Sequence, residues 1–390
     1  MREALYIVTM SLPDVLKRGD DFLSEYPRNS KIWHLFSYGT TIFTVGISKF
    51  ILNTMYNVEL NNFERLETAL EKSRKEERGL MTIMNHMSVV DDPFIWAVFP
   101  WKIYRDLNDI RWCLGAHNVC FTNKFVSTYF SLGQVLSTKR FGAGPFQGSV
   151  DAMIRLLSPD STLDNLQVKG CFSTTTLNYH YKMQKPAWVH VYPEGFVLQL
   201  QPPFSNSMRY FKWGITRMVL EATRPPIVVP IFTTGFEKIA PEDTAESPID
   251  RYLPNNFGTK VTVTVGNILA DKLIDSYREE WKQLVDKYSD PKNPTDLSDE
   301  LKYGKEAQDL RCRVAAFLRE QVAIVRNNEC GFPEEDSRFK SPSWWRNYTK
   351  TEGASDPDVE FIGKNWAIRS LQNLTEEEEA LSKEDRPPTP

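Results

Sequence analysis

A series of short apolar runs, separated by stretches of helical periodicity, constrains the fold of this chain more than any other feature. Between most of the runs, apolar residues recur at the three- and four-residue spacing of an amphipathic helix. The runs cover residues 80–84, 111–114, 134–138, 187–191, 227–233 and 259–265. Strands that alternate with helices indicate an α/β domain. We therefore predict a mixed, partly parallel central sheet flanked by helices.

The first of these runs leads into a polar segment, Asn85-His86-Met87-Ser88-Val89-Val90-Asp91-Asp92-Pro93. Asp92 is a good helix N-cap and Pro93 suits the first helical position, so a helix is predicted to start there. With a turn between them, the Asp91 carboxylate can reach the His86 imidazole. A carboxylate on one ring nitrogen fixes the tautomer and leaves the other nitrogen free to take a proton. His86 is therefore a candidate general base, and an ordinary loop histidine is the alternative.

Further blocks follow this segment in a defined order. They are Gly133-Gln134-Val135-Leu136-Ser137-Thr138-Lys139-Arg140, then Val189-His190-Val191-Tyr192-Pro193-Glu194-Gly195, and then Ile227-Val228-Val229-Pro230-Ile231. Together with the His-x-x-x-x-Asp segment, the blocks resemble the four motifs of the glycerophospholipid acyltransferase family, across about residues 60–270. The resemblance implies an acyltransferase in which His86 and Asp91 are the catalytic pair.

The resemblance also implies substrate-binding residues. Arg140 and Lys212 would hold phosphate, since Arg offers a fork of donors and Lys a point charge. Glu194 and Gly195 would contact the substrate, because Gly allows close backbone approach and Glu can accept a hydrogen bond from a glycerol hydroxyl. The alternatives are ordinary surface bases and a tight turn. Most relatives have Thr-Arg after Pro-Glu-Gly, where this chain has Phe-Val, which puts one phosphate contact in doubt.

One branch of the family resembles the chain more closely, through Leu114-Gly115-Ala116-His117-Asn118, Phe211-Lys212-Trp213-Gly214-Ile215 and the missing Thr-Arg. Enzymes of that branch move acyl chains between phospholipids without CoA. The resemblance implies phospholipid and lysophospholipid substrates (cardiolipin, monolysocardiolipin and phosphatidylcholine), no cofactor, and a peripheral position on mitochondrial membranes that face the intermembrane space. An acyl-CoA-dependent acyltransferase is the alternative. A non-catalytic lipid-binding scaffold is a third possibility, which the intact pair of His86 and Asp91 disfavours.

Composition excludes other classes of function. The net charge is −4, so no global basic field attracts nucleic acid. The five cysteines form no Cys-x-x-Cys, and the five histidines lack metal-ligand spacing, so neither a metal site nor a disulfide framework is expected. An oligomer is compatible with the sequence.

The N-terminal segment, residues 1–60, contains a mixed apolar stretch over residues 31–58. Ile32, Phe36 and Phe43 recur near helical spacing, but Thr, Ser and Gly residues interrupt the pattern. A clean membrane-spanning helix needs about 20 predominantly apolar residues. We therefore predict a membrane-interface or re-entrant helix. A buried core helix is the alternative.

The remaining chain divides by pattern into three parts. Residues 61–270 hold the family motifs and form the predicted acyltransferase core, with a polar insertion at 158–185. Residues 271–330 carry two long helical patterns, 271–288 and 298–327. Residues 331–390 are predicted to be extended and partly disordered, at 376–379 and 387–390 in particular. Residues 338–346 mix bases with Trp, which suits an interfacial anchor or a packed surface strap equally.

Overall fold

The computed structural model describes residues 22–23, 25–28, 30–140, 144–158, 187–242, 252–290, 297–363, 367–369 and 371–373. Almost all of the predicted insertion at 158–185 lies outside these residues. The two predicted disordered segments, at 376–379 and 387–390, also lie outside them.

Seven strands form one sheet in the order β1-β7-β6-β2-β5-β3-β4. The strands are β1 Asn57–Asn61, β2 Leu80–Met84, β3 Trp112–Ala116, β4 Val135–Thr138, β5 Trp188–Val191, β6 Ile227–Thr234 and β7 Lys260–Val265. Every neighbouring pair is parallel except β6 and β7, which are antiparallel. The prediction of a mixed, partly parallel sheet is confirmed, and the central strand is the one that leads to His86.

Helices cover the sheet. Among the described residues they are α1 Lys31–Met55, α2 Phe63–Glu76, α3 Asp91–Val98, α4 His117–Cys120, α5 Lys124–Leu132, α6 Gly148–Leu156, α7 Gly214–Glu221, α8 Phe236–Ile239, α9 Asp271–Tyr288, α10 Asp299–Tyr303, α11 Lys305–Ile324 and α12 Pro342–Lys350. The single helix predicted over 298–327 is two helices, because Gly304 between them has extended backbone. A π-helical turn, Val325–Glu329, follows α11.

Side chains on the central strand alternate between two hydrophobic cores, as the pleat of a strand requires. Met81 and Ile83 belong to the core that α6, α7, α9 and α11 share. Leu80 and Met84 belong to the core that α1, α2 and α3 share. All five residues of β2 are buried, which explains why this run is apolar throughout.

Helix α1 buries a narrow side that is mostly polar, with Val45 and Leu52 in the core, and turns most of its apolar residues outward. The Ser37 hydroxyl donates to the Leu132 carbonyl, and Lys49 Nζ donates to the carbonyls of Ala97 and Phe99 at 2.6 and 3.0 Å. Seven large apolar side chains of the helix are exposed, namely Ile32, Leu35, Phe36, Phe43, Ile47, Phe50 and Met55. By length and composition the helix could cross a membrane. Most of its apolar stripe lies outside the cores, which favours the membrane-interface prediction over the core-helix alternative. Attachment to a membrane stays a prediction.

The C-terminal residues pack against the segment that follows the Pro-Glu-Gly block. Phe339, Trp345 and Tyr348 are buried in a cluster with Phe196 and Leu200, which belong to the segment after the Pro-Glu-Gly block. An isolated antiparallel bridge joins the same segment to Phe361. Of the two interpretations of residues 338–346, the structure shows the packed strap.

Candidate active site

The site lies at one edge of the sheet because β6, β2, β5, β3 and β4 are all parallel to one another. Their carboxyl ends therefore meet at the same edge, where ligands of open α/β sheets bind. His86 lies two residues after β2, Tyr192 follows β5 directly, and Arg140 lies two residues after β4. The topology thus brings together motifs that are far apart in sequence.

His86 and Asp91 form the predicted pair. His86 Nδ1 lies 2.8 Å from Asp91 Oδ2. The same carboxylate oxygen accepts the backbone N–H groups of Met87 at 2.8 Å and Ser88 at 3.0 Å. Asp91 is fully buried, whereas the His86 side chain is 23% exposed. Because an ionised carboxylate only accepts hydrogen bonds, Nδ1 carries the proton and Nε2 is left to take one.

Glu194 and the residues after it hold the turn that carries His86. Glu194 Oε1 accepts the His86 backbone N–H at 2.8 Å. The His86 carbonyl accepts the Leu198 N–H at 2.9 Å, and Gln199 Nε2 donates to the Met87 carbonyl at 2.8 Å. Burial raises the pKa of the Glu194 carboxyl to about 8, although hydrogen bonds from the backbone of Arg209 and His86 oppose the shift. The Pro-Glu-Gly block and the residues after it therefore fix the backbone of the turn that carries His86.

The His86 imidazole packs against the tilted ring of Tyr192, which in turn packs edge to face with His190. The ring centroids of His86 and Tyr192 lie 4.5 Å apart, and the centroids of Tyr192 and His190 lie 4.6 Å apart. His190 is fully buried and pairs with the Thr82 hydroxyl at 2.8 Å. Burial holds the pKa of His190 well below its usual range, so this imidazole is neutral. Sequence reasoning missed Tyr192, although its place at the end of an apolar strand was a usable signal.

The expectation that Asp92 caps the following helix is wrong. Helix α3 starts at Asp91 after Val90, and Asp92 has non-helical backbone angles of φ −99° and ψ 116°. The Asp92 carboxylate instead accepts from Arg111 Nη2 at 2.5 and 2.7 Å, and from Cys113 Sγ at 3.3 Å. Arg111 is buried, and a buried guanidinium needs a counter-charge more than the helix needs a cap.

A cavity of about 1040 Å³ opens beside His86. Its polar lining includes Asp92, Arg111 and Arg140, and much of the rest is apolar. Helix α1 contributes Thr40, Thr41, Thr44 and Val45 to the wall. The predicted base and the predicted phosphate ligand Arg140 therefore share one cavity, which is large enough for part of a lipid.

The other predicted substrate ligands do not line this cavity. Glu194 is buried behind the His86 turn, with Oε2 accepting the Arg209 N–H at 2.7 Å. Lys212 lies against Gly195, whose φ of +66° favours glycine, and its side chain passes 3.1 Å from where a Cβ would stand. Substrate contact by Glu194, Gly195 and Lys212 stays a prediction. For Glu194 the structure shows a second task, the support of the His86 backbone.

Comparison with known proteins defines the class. The sequence profile of the family described as Acyltransferase matches residues 58–234, from β1 to the end of β6. The matched segment contains His86, Asp91, Arg140, Glu194 and the whole parallel part of the sheet except the pairing of β1 with β7. The protein is an acyltransferase.

Individual relatives narrow the class further. The chain is 63% identical over 369 residues to tafazzin of Saccharomyces cerevisiae, a match that spans 94% of this chain and 97% of the relative. It is 32% identical over 266 residues to tafazzin of Dictyostelium discoideum, spanning 67% of this chain and 76% of the relative. The chain belongs to the tafazzin family, which confirms the predicted branch and its phospholipid transacylase function.

Among solved structures, the chain is similar to a 1-acyl-sn-glycerophosphate acyltransferase from Thermotoga maritima. The sequence identity is 14%, the TM-score is 0.34, and the match spans 64% of this chain and 73% of the other. At this score the likeness adds nothing to the family assignment.

The ion pair of Asp92 and Arg111 generates a prediction about stability. Asp92→Asn leaves the buried guanidinium without its counter-charge, so the free energy of unfolding should fall. Because the Asp92 side chain is 24% exposed, we expect a loss near the lower end of the roughly 3–5 kcal/mol typical of broken buried pairs. Urea denaturation followed by circular dichroism measures it.

The matched control is Asp109→Asn, which removes an ion pair with Arg74, a side chain that is 50% exposed. Exposed pairs contribute less than about 1 kcal/mol, so this variant should unfold close to the original protein. Equal losses in the two variants would contradict the assigned role of Asp92.

Proposed function

We propose that His86 acts as the general base in a direct transfer of an acyl chain from a phospholipid to a lysophospholipid. His86 Nε2 takes the proton of the lysophospholipid hydroxyl as its oxygen forms a bond to the ester carbonyl carbon of the donor. The tetrahedral intermediate then breaks the bond to the donor's glycerol oxygen. The imidazolium returns the proton to that oxygen, which leaves as the hydroxyl of a new lysophospholipid.

The observation that carries this proposal is the hydrogen bond of 2.8 Å from His86 Nδ1 to the buried Asp91 carboxylate, at the wall of the cavity. Asp91 orients the ring and stabilises the imidazolium that forms during the step. The scheme uses no cofactor and no CoA, since the donor lipid is itself an ester.

Arg140 supports the recognition of a phospholipid. Its side chain lines the cavity with His86, and Arg140 Nη2 lies 3.2 Å from Asn118 Oδ1. A guanidinium matches the oxygens of a phosphate with a fork of donors, which would place the headgroup at the end of β4. Lys212, Glu194 and Gly195 complete the proposed substrate set through the family motifs. We propose cardiolipin, monolysocardiolipin and phosphatidylcholine as substrates on the family relationship.

The outward apolar side of α1 supports a membrane as the source of substrate. Phe36, Phe43 and Phe50 are each more than 60% exposed, and the polar side of the helix packs on the domain. A helix with this distribution lies in the interface with its apolar side among acyl chains. Because α1 also lines the cavity, lipid could enter next to the helix. The family relationship supports mitochondrial membranes, facing the intermembrane space, as the location.

Removal of the base tests the mechanism. His86→Ala should reduce acyl transfer by roughly 10²–10⁴-fold. Asp91→Asn should also impair transfer severely, and the double variant should be little worse than His86→Ala, because both residues serve one proton transfer. The measurement is transfer of a labelled acyl chain from phosphatidylcholine to a lysophospholipid, with folding checked by circular dichroism.

The control is His117→Ala, which removes an exposed imidazole whose Nδ1 pairs with the Ser137 hydroxyl at 2.8 Å. It should transfer acyl chains at close to the original rate. If folded His86→Ala protein is as active as this control, His86 is not the base.

Phosphate recognition is tested at Arg140. Arg140→Lys keeps the charge but loses the fork, so KM should rise by an amount that corresponds to on the order of 1.5–3 kcal/mol, while the fold is kept. The neighbouring exposed base provides the control, as Lys139→Gln should leave KM unchanged. Unaltered kinetics of Arg140→Lys on every phospholipid tried would remove this residue from the site.

Membrane attachment is tested on α1. The double change Ile47→Lys and Phe50→Lys places two charges on the apolar side, so the folded protein should leave liposomes in a flotation assay, even at low salt. The control places the same charges on exposed apolar positions of other helices, Leu273 and Ile324, and should stay bound. If the α1 variant is folded and floats with the liposomes, the attachment site is elsewhere.

A further inference from the structure

The His86 turn is connected by hydrogen bonds to the C-terminal helices, far outside the family motifs. Glu194 accepts the His86 N–H with one oxygen and the Arg209 N–H with the other, at 2.8 and 2.7 Å. The backbone of residues 208–209 is held in turn from the far side. Arg319 Nη2 donates to the Met208 carbonyl at 2.7 Å, and Arg319 Nε donates to the Arg209 carbonyl at 3.1 Å.

Glu335 completes this arrangement. Its Oε1 accepts the Met208 N–H at 2.6 Å, and its Oε2 lies 3.0 Å from Arg319 Nη2. The side chains of Arg319 and Glu335 are 3% and 1% exposed. The backbone N–H and carbonyl of Met208 are therefore both hydrogen-bonded to members of one buried ion pair.

The burial of the Arg319–Glu335 ion pair does not by itself indicate a stabilising role. A buried ion pair often stabilises a fold no more than apolar residues of the same volume would, because its desolvation cost is large. Its bonds go to the backbone segment that reaches Glu194 and to no other described element. The Arg209 guanidinium is also buried, 3.9 Å from the Tyr210 ring centroid and 5.9 Å from that of Trp345. The segment is thus fixed by C-terminal residues on two sides.

We propose that Arg319 and Glu335 are positioning residues for the catalytic histidine. They hold residues 208–209, which hold the Glu194 carboxyl, which holds the backbone N–H of His86. Neither residue lines the cavity or touches a reacting atom. The proposal rests on the proposed role of His86 as the base, and it assigns a part of the site to a region beyond residues 58–234, where the family profile ends.

The test separates positioning from ordinary stabilisation through kcat and KM. Arg319→Lys keeps the charge but replaces the fork, whose Nε and Nη2 reach two carbonyls, with a single nitrogen. Glu335→Gln keeps an acceptor but loses the charge. A displacement of about 1 Å at a catalytic group can cost roughly a hundredfold in rate. We expect kcat of the folded protein to fall roughly 10- to 100-fold in each variant, with KM for the phospholipid unchanged, because the cavity itself is intact.

The matched control is Arg311→Lys, two turns earlier on the same helix. Arg311 is equally buried, and its guanidinium donates to the carbonyls of Leu301 and Lys302, away from the His86 turn. This variant should lose stability, yet its folded fraction should keep the original kcat. A kcat for Arg319→Lys and Glu335→Gln that equals that of Arg311→Lys would overturn the proposal.

Amide hydrogen exchange gives a second readout that does not depend on activity or on the folding of a variant. In the unaltered protein the His86 amide should be protected and should open together with the amides of Met208 and Arg209. In Arg319→Lys these three amides should exchange faster, while in Arg311→Lys they should not. An unprotected His86 amide in the unaltered protein would overturn the proposal by itself.

His86→Ala, assayed in parallel, distinguishes a failure of the positioning proposal from a failure of the proposed role of His86 as the base. If His86→Ala is inactive while the Arg319 and Glu335 variants behave like Arg311→Lys, only the positioning proposal fails. If His86→Ala is active, the proposed base is wrong, and the exchange data alone decide whether the C-terminal residues hold the turn.

Discussion

The Asp91 carboxylate is the centre on which the site depends. One of its oxygens accepts the His86 ring N–H and two backbone N–H groups of the same turn, so a single buried charge fixes both the tautomer of the base and the path of the chain around it. The oxygen can accept these three donors at once because an ionised carboxylate is negatively charged and only accepts hydrogen bonds. The turn would otherwise leave buried N–H groups without partners, which is costly.

The order of strands in the sheet brings other loops to the His86 turn. Because β2 is central and its neighbours on both sides are parallel, the turn after it meets the loops that follow β5, β3 and β4. Those loops supply the carboxyl of Glu194 behind the base and the guanidinium of Arg140 in the cavity. Helix α1 closes part of the same cavity with its polar side and exposes its apolar side. The candidate base, Arg140 and helix α1 therefore line one cavity at a single edge of the sheet.

Much of the fold and the contact of His86 with Asp91 could be predicted because they depend on patterns within short stretches of sequence. Apolar runs and helical periodicity identified every strand of the sheet except β1, and the alternation indicated that the sheet is partly parallel. Asp91 lies five residues from His86, so their contact needs only a local turn. Asp92 was misassigned as a cap because its partner Arg111 lies 19 residues away, and local rules contain no information about that distance. Tyr192 was missed for the same kind of reason.

By itself, the sequence determined the class of fold, the contact between the candidate pair His86 and Asp91, and the family. Each depends on residue type and on spacing within a single strand, helix or turn. Only the tertiary structure decided what supports the base, since Glu194 meets His86 across 108 residues and Arg319 reaches the Arg209 backbone across 110. Such contacts follow from strand order and helix packing. Those depend on how the whole chain buries its apolar surface, and a local pattern does not carry that information.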